Sequence, residues 1–272
     1  MTALVTAALV VVVPRVATSV APNAPAVAVP RMPPSLTPEV APGAAQAMVT
    51  AAGNAAPDRM TLGVAVLDLA TGELATVGTT RFYSASLSKL MLIVDMLDRN
   101  VALDEDDLAW INRALSVSDD NAMNALWVRF DGPGAMARVA GALGMDGTSA
   151  PDDSSQWGET VVSPAGFARL YQHILTEMDP ADRDVIVAGL QAAQPEAADG
   201  FDQFFGLLGQ SFPAYAKQGW MYYGSRLYAH SAGVVRSESR DYVVVLMSIQ
   251  PASAGTAGLS TVAAAMLPAL AG

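Results

Sequence analysis

The chain has 272 residues, and 52% of them are hydrophobic, which suffices for the core of one large domain or two small ones. The formal net charge of −11 argues against nucleic acid and against an anionic membrane surface as binding partners. The absence of cysteine excludes disulfides, thiolate metal sites and cysteine nucleophiles, and only two histidines, His173 and His230, are available for a histidine-based site. We therefore expect neither a metal nor another cofactor.

Residues 1–20 are predicted to be a signal peptide or a membrane anchor. The apolar run from Ala3 to Val13 is too short for a comfortable membrane span and has the length of a signal-peptide core. The small residues Ala17-Thr18-Ser19 could form its cleavage site. Met1-Thr2 lacks the usual positive charge, which leaves an uncleaved anchor or a mis-set start codon as alternatives. Export predicts a secreted or cell-envelope protein, outside the cytoplasmic membrane.

Residues 21–43 are rich in proline and alanine without a hydrophobic period, which predicts an extended tether that could connect the domain to the membrane. A single domain is predicted over residues 44–272, beginning with a short helix from Ala44 to Ala52. A hairpin follows, because the apolar runs Thr61–Leu69 and Leu74–Val77 are separated by a turn that contains Gly72.

The middle of the chain is predicted to be helical. The stretch from Phe82 to Leu97 indicates a turn that leads into a helix, and this helix is apolar on nearly every face, which is typical of a buried helix. Five more helices are expected: one from the acidic stretch 103–107 to about Leu115, one at Asn121–Phe130, one at Pro133–Leu143, and two that begin at Ser163-Pro164 and Asp179-Pro180.

The last third of the chain predicts three strands, Ala214–Met221, Arg226–Val235 and Asp241–Ile249, and a final helix from Gly258 to Leu270. Consecutive strands that are joined by tight turns pair antiparallel. The fold class is therefore α/β of the α+β type: one antiparallel sheet of about five strands, flanking helices, and an inserted all-helical subdomain.

Ser86 and Lys89 are the first candidate catalytic pair. They lie three residues apart at the start of the buried helix and so share a face. A buried ammonium is costly unless it is paired, and a desolvated lysine has a lowered pKa and can take a proton from a serine hydroxyl. The alternative is that Ser86 caps the helix and that the side chain of Lys89 extends to water.

Two further motifs carry candidate residues. Ser118-Asp119-Asp120 lies in a loop between two helices, where a second hydroxyl could relay a proton, or where the serine could simply cap a helix. Lys217-Gln218-Gly219 lies in a strand, where the lysine could bind a carboxylate and the glycine would let a ligand approach the backbone. The alternative for Lys217 is an exposed lysine on an edge strand.

These three motifs, in this order, resemble the S-x-x-K, S-D-N and K-T-G motifs of the penicillin-recognising serine enzymes, namely the class A β-lactamases and D-alanyl-D-alanine peptidases. The resemblance covers residues 44–272, and Arg81-Phe82 and Asn124 also look like the class A pattern. It implies a β-lactam or a peptidoglycan stem peptide as the small-molecule substrate. We further expect a monomer.

The resemblance also implies a role for each matching position. Ser86 would be the acylated nucleophile and Lys89 its base or proton relay. Ser118 would pass a proton to the departing nitrogen, and Lys217 would hold the substrate carboxylate. The backbone N–H groups of Ser86 and Trp220 would form the oxyanion hole. The other implied substrate-binding positions are Asp120, Gln218 and Gly219.

The chain departs from the family pattern at three places. Asp120 replaces an asparagine that donates to the substrate amide carbonyl, and an unpaired, ionised aspartate would repel that carbonyl. Gln218 replaces a threonine. The segment between Gly144 and Ser163 lacks the Glu-x-x-Leu-Asn motif whose glutamate activates the deacylating water, and Glu159 is the nearest candidate. Deacylation is therefore expected to be slow.

Three other interpretations remain open. The departures favour a catalytically inactive, exported binding protein on the same fold, and a different Ser-Lys enzyme such as a glutaminase is a further alternative. The segment 229–233, Ala-His-Ser-Ala-Gly, mimics a lipase nucleophile elbow, but a strand follows it and no histidine follows Ser231. We expect His173 to be an ordinary helix residue and His230 a strand residue.

Overall fold

A computed structural model of the protein describes residues 43–237 and 240–270. The signal peptide or anchor predicted at residues 1–20, and all but the last residue of the tether predicted at 21–43, lie outside these residues. In the part of the chain that is described, no helix combines the length and the apolar character needed to cross a membrane.

The strands, in chain order, are β1 (Thr61–Asp68), β2 (Leu74–Val77), β3 (Phe82–Tyr83), β4 (Val161–Val162), β5 (Ala214–Tyr223), β6 (Arg226–Arg236) and β7 (Asp241–Pro251). Five of them form one antiparallel sheet in the order β2-β1-β7-β6-β5, and β3 pairs separately with β4. The predicted sheet of about five strands is confirmed, and its predicted strands end within two residues of the observed ends.

The α-helices are α1 (Ala44–Ala55), α2 (Ser88–Asp98), α3 (Glu105–Ser116), α4 (Asp120–Arg129), α5 (Gly132–Ala142), α6 (Pro164–Thr176), α7 (Pro180–Gln191) and α8 (Ala257–Met266). Each corresponds to a predicted helix, so the α+β fold class is confirmed. The last helix ends before its predicted end at Leu270, because Pro268 cannot donate a helical hydrogen bond; a 3₁₀ turn, Leu267–Leu270, follows.

Helices cover both faces of the main sheet. Ala65 and Leu67 of β1 pack on the side that carries α2 and α6, whereas Val64 and Val66 pack on the side that carries α1 and α8. Because side chains alternate along a strand, a strand that is covered on both sides is apolar at successive positions. The uninterrupted apolar run in β1 follows from this arrangement.

Helix α2 is the centre of the helical subdomain, and all of its residues but the last are buried. The buried Asp95 carboxylate within it pairs with the guanidinium groups of Arg99, at 2.8 Å, and Arg138 of α5, at 2.7 Å. A buried carboxylate is tolerated when hydrogen-bonded cations compensate its charge. The prediction of a buried helix is confirmed, and its buried acidic residue, Asp95, joins α2 to α5.

The helix starts predicted at two proline residues are also confirmed. The hydroxyl of Ser163 accepts a hydrogen bond from the N–H of Gly166 at 3.1 Å, and the carboxylate of Asp179 accepts one from Ala181 at 2.9 Å. Proline occupies the first position of both helices, where no N–H is required.

The β3–β4 pair joins the predicted turn before α2 to the segment between Gly144 and Ser163, and no strand was predicted in either. Phe82 lies opposite Val162, and the N–H of Ser84 donates to the carbonyl of Thr160 at 2.7 Å. Strands of two residues are too short to show alternation, which explains why they were not predicted. Their pairing holds the end of the loop 147–160 beside the start of α2.

Candidate active site

Ser86 lies in a 3₁₀ turn, Ala85–Leu87, that leads directly into α2. Its predecessor Ala85 has φ of +47°, an uncommon conformation for a residue with a side chain. Such strain costs on the order of 1–3 kcal/mol and tends to concentrate at functional sites. The turn holds Ser86 at the wall of a pocket with 5% of its surface exposed.

Lys89 is fully buried beneath this turn, so the alternative in which its side chain extends to water is wrong. Its Nζ donates to the Oγ of Ser86 at 2.7 Å and to the carbonyl of Ser118 at 2.8 Å, and it lies 2.6 Å from the carboxylate of Asp120. The ring of Trp157 covers it at 4.7 Å. Burial lowers the pKa of Lys89 below its usual value, and the Asp120 carboxylate is the strongest influence in the opposite direction.

Asp120 is therefore paired, which corrects the expectation that it faces the substrate as a free carboxylate. Its side chain is 61% exposed and lines the pocket while one oxygen contacts Lys89. An aspartate at this position can hold the lysine by charge, which an asparagine cannot do. The difference from the family pattern thus changes the environment of Lys89 as well as the surface offered to a ligand.

Ser118 is buried and has φ of +53°. Its Oγ lies 3.2 Å from the Nζ of Lys89 and 2.8 Å from the Nζ of Lys217. The alternative in which it caps α4 is wrong, because the carboxylate of Asp119 accepts the N–H of Asn121 at 2.8 Å instead. A hydroxyl between two lysines is placed to receive and pass on a proton.

Lys217 is also fully buried, so the alternative of an exposed edge lysine is wrong. Its Nζ donates to the Oγ of Ser118 and to the carbonyl of Gln218, both at 2.8 Å. Burial lowers the pKa of Lys217 well below its usual value, and the nearby charge of Lys89 acts in the same direction. Lys217 lies behind Ser118 and is not among the residues that line the pocket.

The structure does not bring the side chain of Gln218 to the pocket. It is buried beside the segment that contains Gln203 and Phe205, where its amide nitrogen donates to the carbonyls of these two residues. Gly219 contributes by having no side chain, because an added Cβ would lie 3.1 Å from the carbonyl oxygen of Ser84. Glycine therefore allows β5 to approach the Ser86 turn closely.

The pocket beside Ser86 has a volume of about 310 Å³. Trp220, a predicted site residue, forms part of its wall, and the indole N–H of Trp220 donates to the carboxylate of Asp199 at 3.0 Å. Phe201 stacks on the Trp220 indole with ring centroids 4.7 Å apart and planes 9° from parallel. Neither Asp199 nor Trp157 was predicted as a site residue, because neither lies in a motif or a periodic element.

Trp157 occupies the loop in which the class A pattern would place a water-activating glutamate. Its indole N–H donates to the side-chain oxygen of Asn124 at 2.9 Å, and its ring lies over Lys89. Glu159 is not among the described residues that line the pocket, and its carboxylate has no hydrogen bond or ion pair with any of them. The structure therefore does not bring the candidate glutamate to Ser86.

Neither the two histidines nor Ser231 is among the described residues that line the pocket. Ser231 is buried in the middle of β6 and accepts the N–H of Leu207, so it is not a nucleophile elbow. His230 lies in the same strand, 2.8 Å from the carbonyl of Tyr83, and burial lowers its pKa to about 4. His173 lies in α6, as expected, and contacts Asp98.

Comparison with solved structures shows that this fold is similar to that of β-lactamases. The TLA-3 extended-spectrum β-lactamase aligns with 84% of this chain over 100% of its own length, with a TM-score of 0.69 and 13% identity. A class A β-lactamase from Bacteroides cellulosilyticus aligns with 84% of this chain and 98% of its own, with a TM-score of 0.70 and 16% identity. The chain has the class A β-lactamase fold. At these identities the likeness shows the fold alone.

The curated relatives of this chain carry a different name. This chain is 36% identical over 208 residues to "Putative lipoprotein LppW" from Mycobacterium tuberculosis and from Mycobacterium bovis. The match includes 72% of this chain and 66% of the relatives' length, which is just under two thirds. No family model matches the chain.

Proposed function

We propose that this protein is a serine hydrolase that forms an acyl-enzyme on Ser86 with β-lactams or D-Ala-D-Ala-type peptides. The observation that carries the proposal is the 2.7 Å contact between the Nζ of a fully buried Lys89 and the Oγ of Ser86. The lowered pKa of Lys89 increases the fraction of neutral amine, which is the form that can accept the serine proton.

In the proposed acylation, the Ser86 proton moves to Lys89 while Oγ attacks the substrate carbonyl carbon. The new O–C bond forms as the C–N bond of the substrate breaks, and the departing nitrogen takes a proton from the Ser118 hydroxyl. Lys89, at 3.2 Å, returns the proton to Ser118. Lys217 contacts the same hydroxyl at 2.8 Å and positions it.

We assign the oxyanion hole to the backbone N–H groups of Ser86 and Trp220. Strand β5 is the outer strand of the main sheet, and the absence of a side chain at Gly219 allows it to lie against the Ser86 turn. A preorganised donor of this kind is worth about 3 kcal/mol to the transition state. The carboxylate-binding role that the resemblance implies for Lys217 stays a prediction.

Slow deacylation is part of the proposal. Trp157 covers Lys89 in the loop that would carry a water-activating glutamate, and Glu159 does not line the pocket. Without a positioned base, water attacks the acyl-enzyme slowly. The protein would then remain acylated, as a penicillin-binding peptidase does.

Intact-mass measurement after incubation with a panel of β-lactams tests the proposal. We expect a persistent adduct of the mass of the intact β-lactam that maps to Ser86, and no adduct on Ser86→Ala, whose melting temperature should be nearly unchanged. Undiminished labelling of Ser86→Ala would refute the assignment of the nucleophile. Fast, sustained hydrolysis without an adduct would refute slow deacylation.

A second candidate is an exported binding protein that uses the same fold without catalysis. The ion pair between Lys89 and Asp120 favours it, because the carboxylate stabilises the protonated lysine, which cannot act as a base. It predicts no adduct from β-lactams or activated esters. The lipoprotein name of the relatives supports a cell-envelope location for either candidate.

A further inference from the structure

The charged side chains that line the pocket beside Ser86, in the described part of the chain, are acidic. They belong to Asp120 and Asp199, whereas the ammonium groups of Lys89 and Lys217 are buried beneath the pocket floor. A ligand in the pocket thus meets carboxylates and does not meet an exposed cation there.

The two carboxylates differ in how far their charge is compensated. Asp120 contacts the ammonium of Lys89 at 2.6 Å. Asp199 accepts only neutral donors among the described residues, namely the indole N–H of Trp220 and the backbone N–H of Phe201, both at 3.0 Å. These two bonds fix the orientation of the Asp199 carboxylate without neutralising it, so a negative charge remains at the pocket wall.

Aromatic side chains stand beside this charge. Trp157, Trp220 and Tyr222 line the pocket, and Phe201 holds the Trp220 indole in place by stacking on it. An aromatic ring attracts a cation through its quadrupole, and Trp157 already covers the ammonium of Lys89 at 4.7 Å. A fixed carboxylate beside an aromatic ring that stacking holds in place is a combination that suits an organic cation.

We propose that the pocket selects acyl donors that carry an ammonium group, with Asp199 as the counter-charge and Trp220 and Tyr222 as the aromatic wall. This inference rests on the proposed acylation of Ser86 and names the substrate class for it. A donor that carries a carboxylate at the same place meets repulsion from Asp199. Dissolved salt screens charges that are exposed to solvent, as Asp199 is. The preference for ammonium donors over neutral donors should therefore fall as the salt concentration rises.

Three p-nitrophenyl esters of equal chain length test the charge preference directly. Their acyl groups end in trimethylammonium, in tert-butyl, which is its neutral isostere, or in carboxylate. The second-order rate constant for acylation is measured from the burst of p-nitrophenolate at low salt, and the adduct is mapped to Ser86. We expect the ammonium ester to react about tenfold faster than the neutral ester, as one well-placed cation contact allows, and the carboxylate ester to react slowest.

Asp199→Asn isolates the contribution of the charge, since it keeps a side-chain oxygen for one of the two hydrogen bonds. The matched control is Asp202→Asn, which removes a carboxylate three residues further along the same loop, outside the pocket lining. The ratio of the ammonium to the neutral rate constant should fall severalfold in Asp199→Asn and stay at the wild-type value in Asp202→Asn. Equal rates for the three esters, or a ratio unaffected by Asp199→Asn, would overturn the inference.

Binding without acylation separates this inference from the proposed function. Choline and its neutral isostere 3,3-dimethylbutan-1-ol are titrated into Ser86→Ala, with tryptophan fluorescence as the readout. Tighter binding of choline, lost in the Ser86→Ala/Asp199→Asn double variant, supports the cation site even if no ester acylates Ser86. Equal affinity for the two probes overturns the cation site even if acylation is observed.

Discussion

Asp120 shows how a single substitution in a motif changes the chemistry of its neighbour. The resemblance places an amide donor at this position, whereas the structure pairs the Asp120 carboxylate with Lys89 at 2.6 Å. A carboxylate beside a buried ammonium raises the pKa of that ammonium. Asp120 therefore counteracts the lowering of the Lys89 pKa by burial and reduces the fraction of Lys89 that is neutral.

Asp120→Asn should accelerate acylation of Ser86 at neutral pH. Loss of the carboxylate lowers the pKa of Lys89 further, and each unit of decrease raises the neutral fraction about tenfold while the pH is below that pKa. The acidic limb of the profile of acylation rate against pH should move to lower pH, measured with a neutral activated ester. Asp202→Asn controls for net charge, and an unmoved limb in Asp120→Asn would contradict Lys89 as the base.

At the scale of elements, the site depends on how closely β5 approaches the turn before α2. Gly219 is the point of contact, and a Cβ there would lie 3.1 Å from the oxygen of Ser84 and 3.4 Å from the nitrogen of Leu87. The first of these distances is shorter than an ordinary van der Waals contact, so the strand and the turn would have to separate by a few tenths of an ångström.

Gly219→Ala should therefore lower the rate of acylation of Ser86 by about tenfold or more, because a displacement of the oxyanion donor weakens a contribution of several kcal/mol. The matched control is Gly141→Ala in α5, where an added Cβ has open space and alanine favours the helix. Rates are compared by the ester burst, with melting temperatures recorded in parallel. Equal rates in the two variants would show that β5 does not form the oxyanion hole.

His230 connects the two sheets of the protein. It lies in the main sheet and contacts the separate β3–β4 pair through the carbonyl of Tyr83 at 2.8 Å. Its other ring nitrogen accepts the N–H of Ser248 in β7 at 3.3 Å, so the folded protein needs the neutral imidazole. Burial lowers the pKa of His230 from 6.5 to about 4. Between these two values the unfolded chain binds a proton that the folded protein does not bind.

The free energy of unfolding should therefore decrease as the pH falls from 6.5 to 4, by up to about 3 kcal/mol from this residue. Stability at pH 7 should keep the full contribution, since the imidazole is neutral in both states there. Urea unfolding across this pH range measures the slope. His230→Gln should be less stable at pH 7 and should show a flatter slope, and an unchanged slope would assign the titration to other groups.

Local patterns in the sequence are enough to predict the helices, the five strands of the main sheet and the contact between Ser86 and Lys89. Apolar runs between turns, proline and capping residues act over a few positions, so the five strands, the buried helix and the helix starts at Ser163 and Asp179 followed from local pattern. Ser86 and Lys89 were paired for the same reason, because residues three apart on a helix share a face. These features depend on neighbours along the chain.

Packing between whole elements determines which residues distant in the sequence come into contact. Lys217 reaches the hydroxyl of Ser118 across 99 positions of sequence, and the two-residue strands β3 and β4 hold a loop against the Ser86 turn. Asp199 and Trp157 line the pocket from segments without a motif, and Gln218 is kept out of it by its hydrogen bonds to the carbonyls of Gln203 and Phe205. Such contacts result from the packing of whole elements, which no short spacing in the sequence encodes.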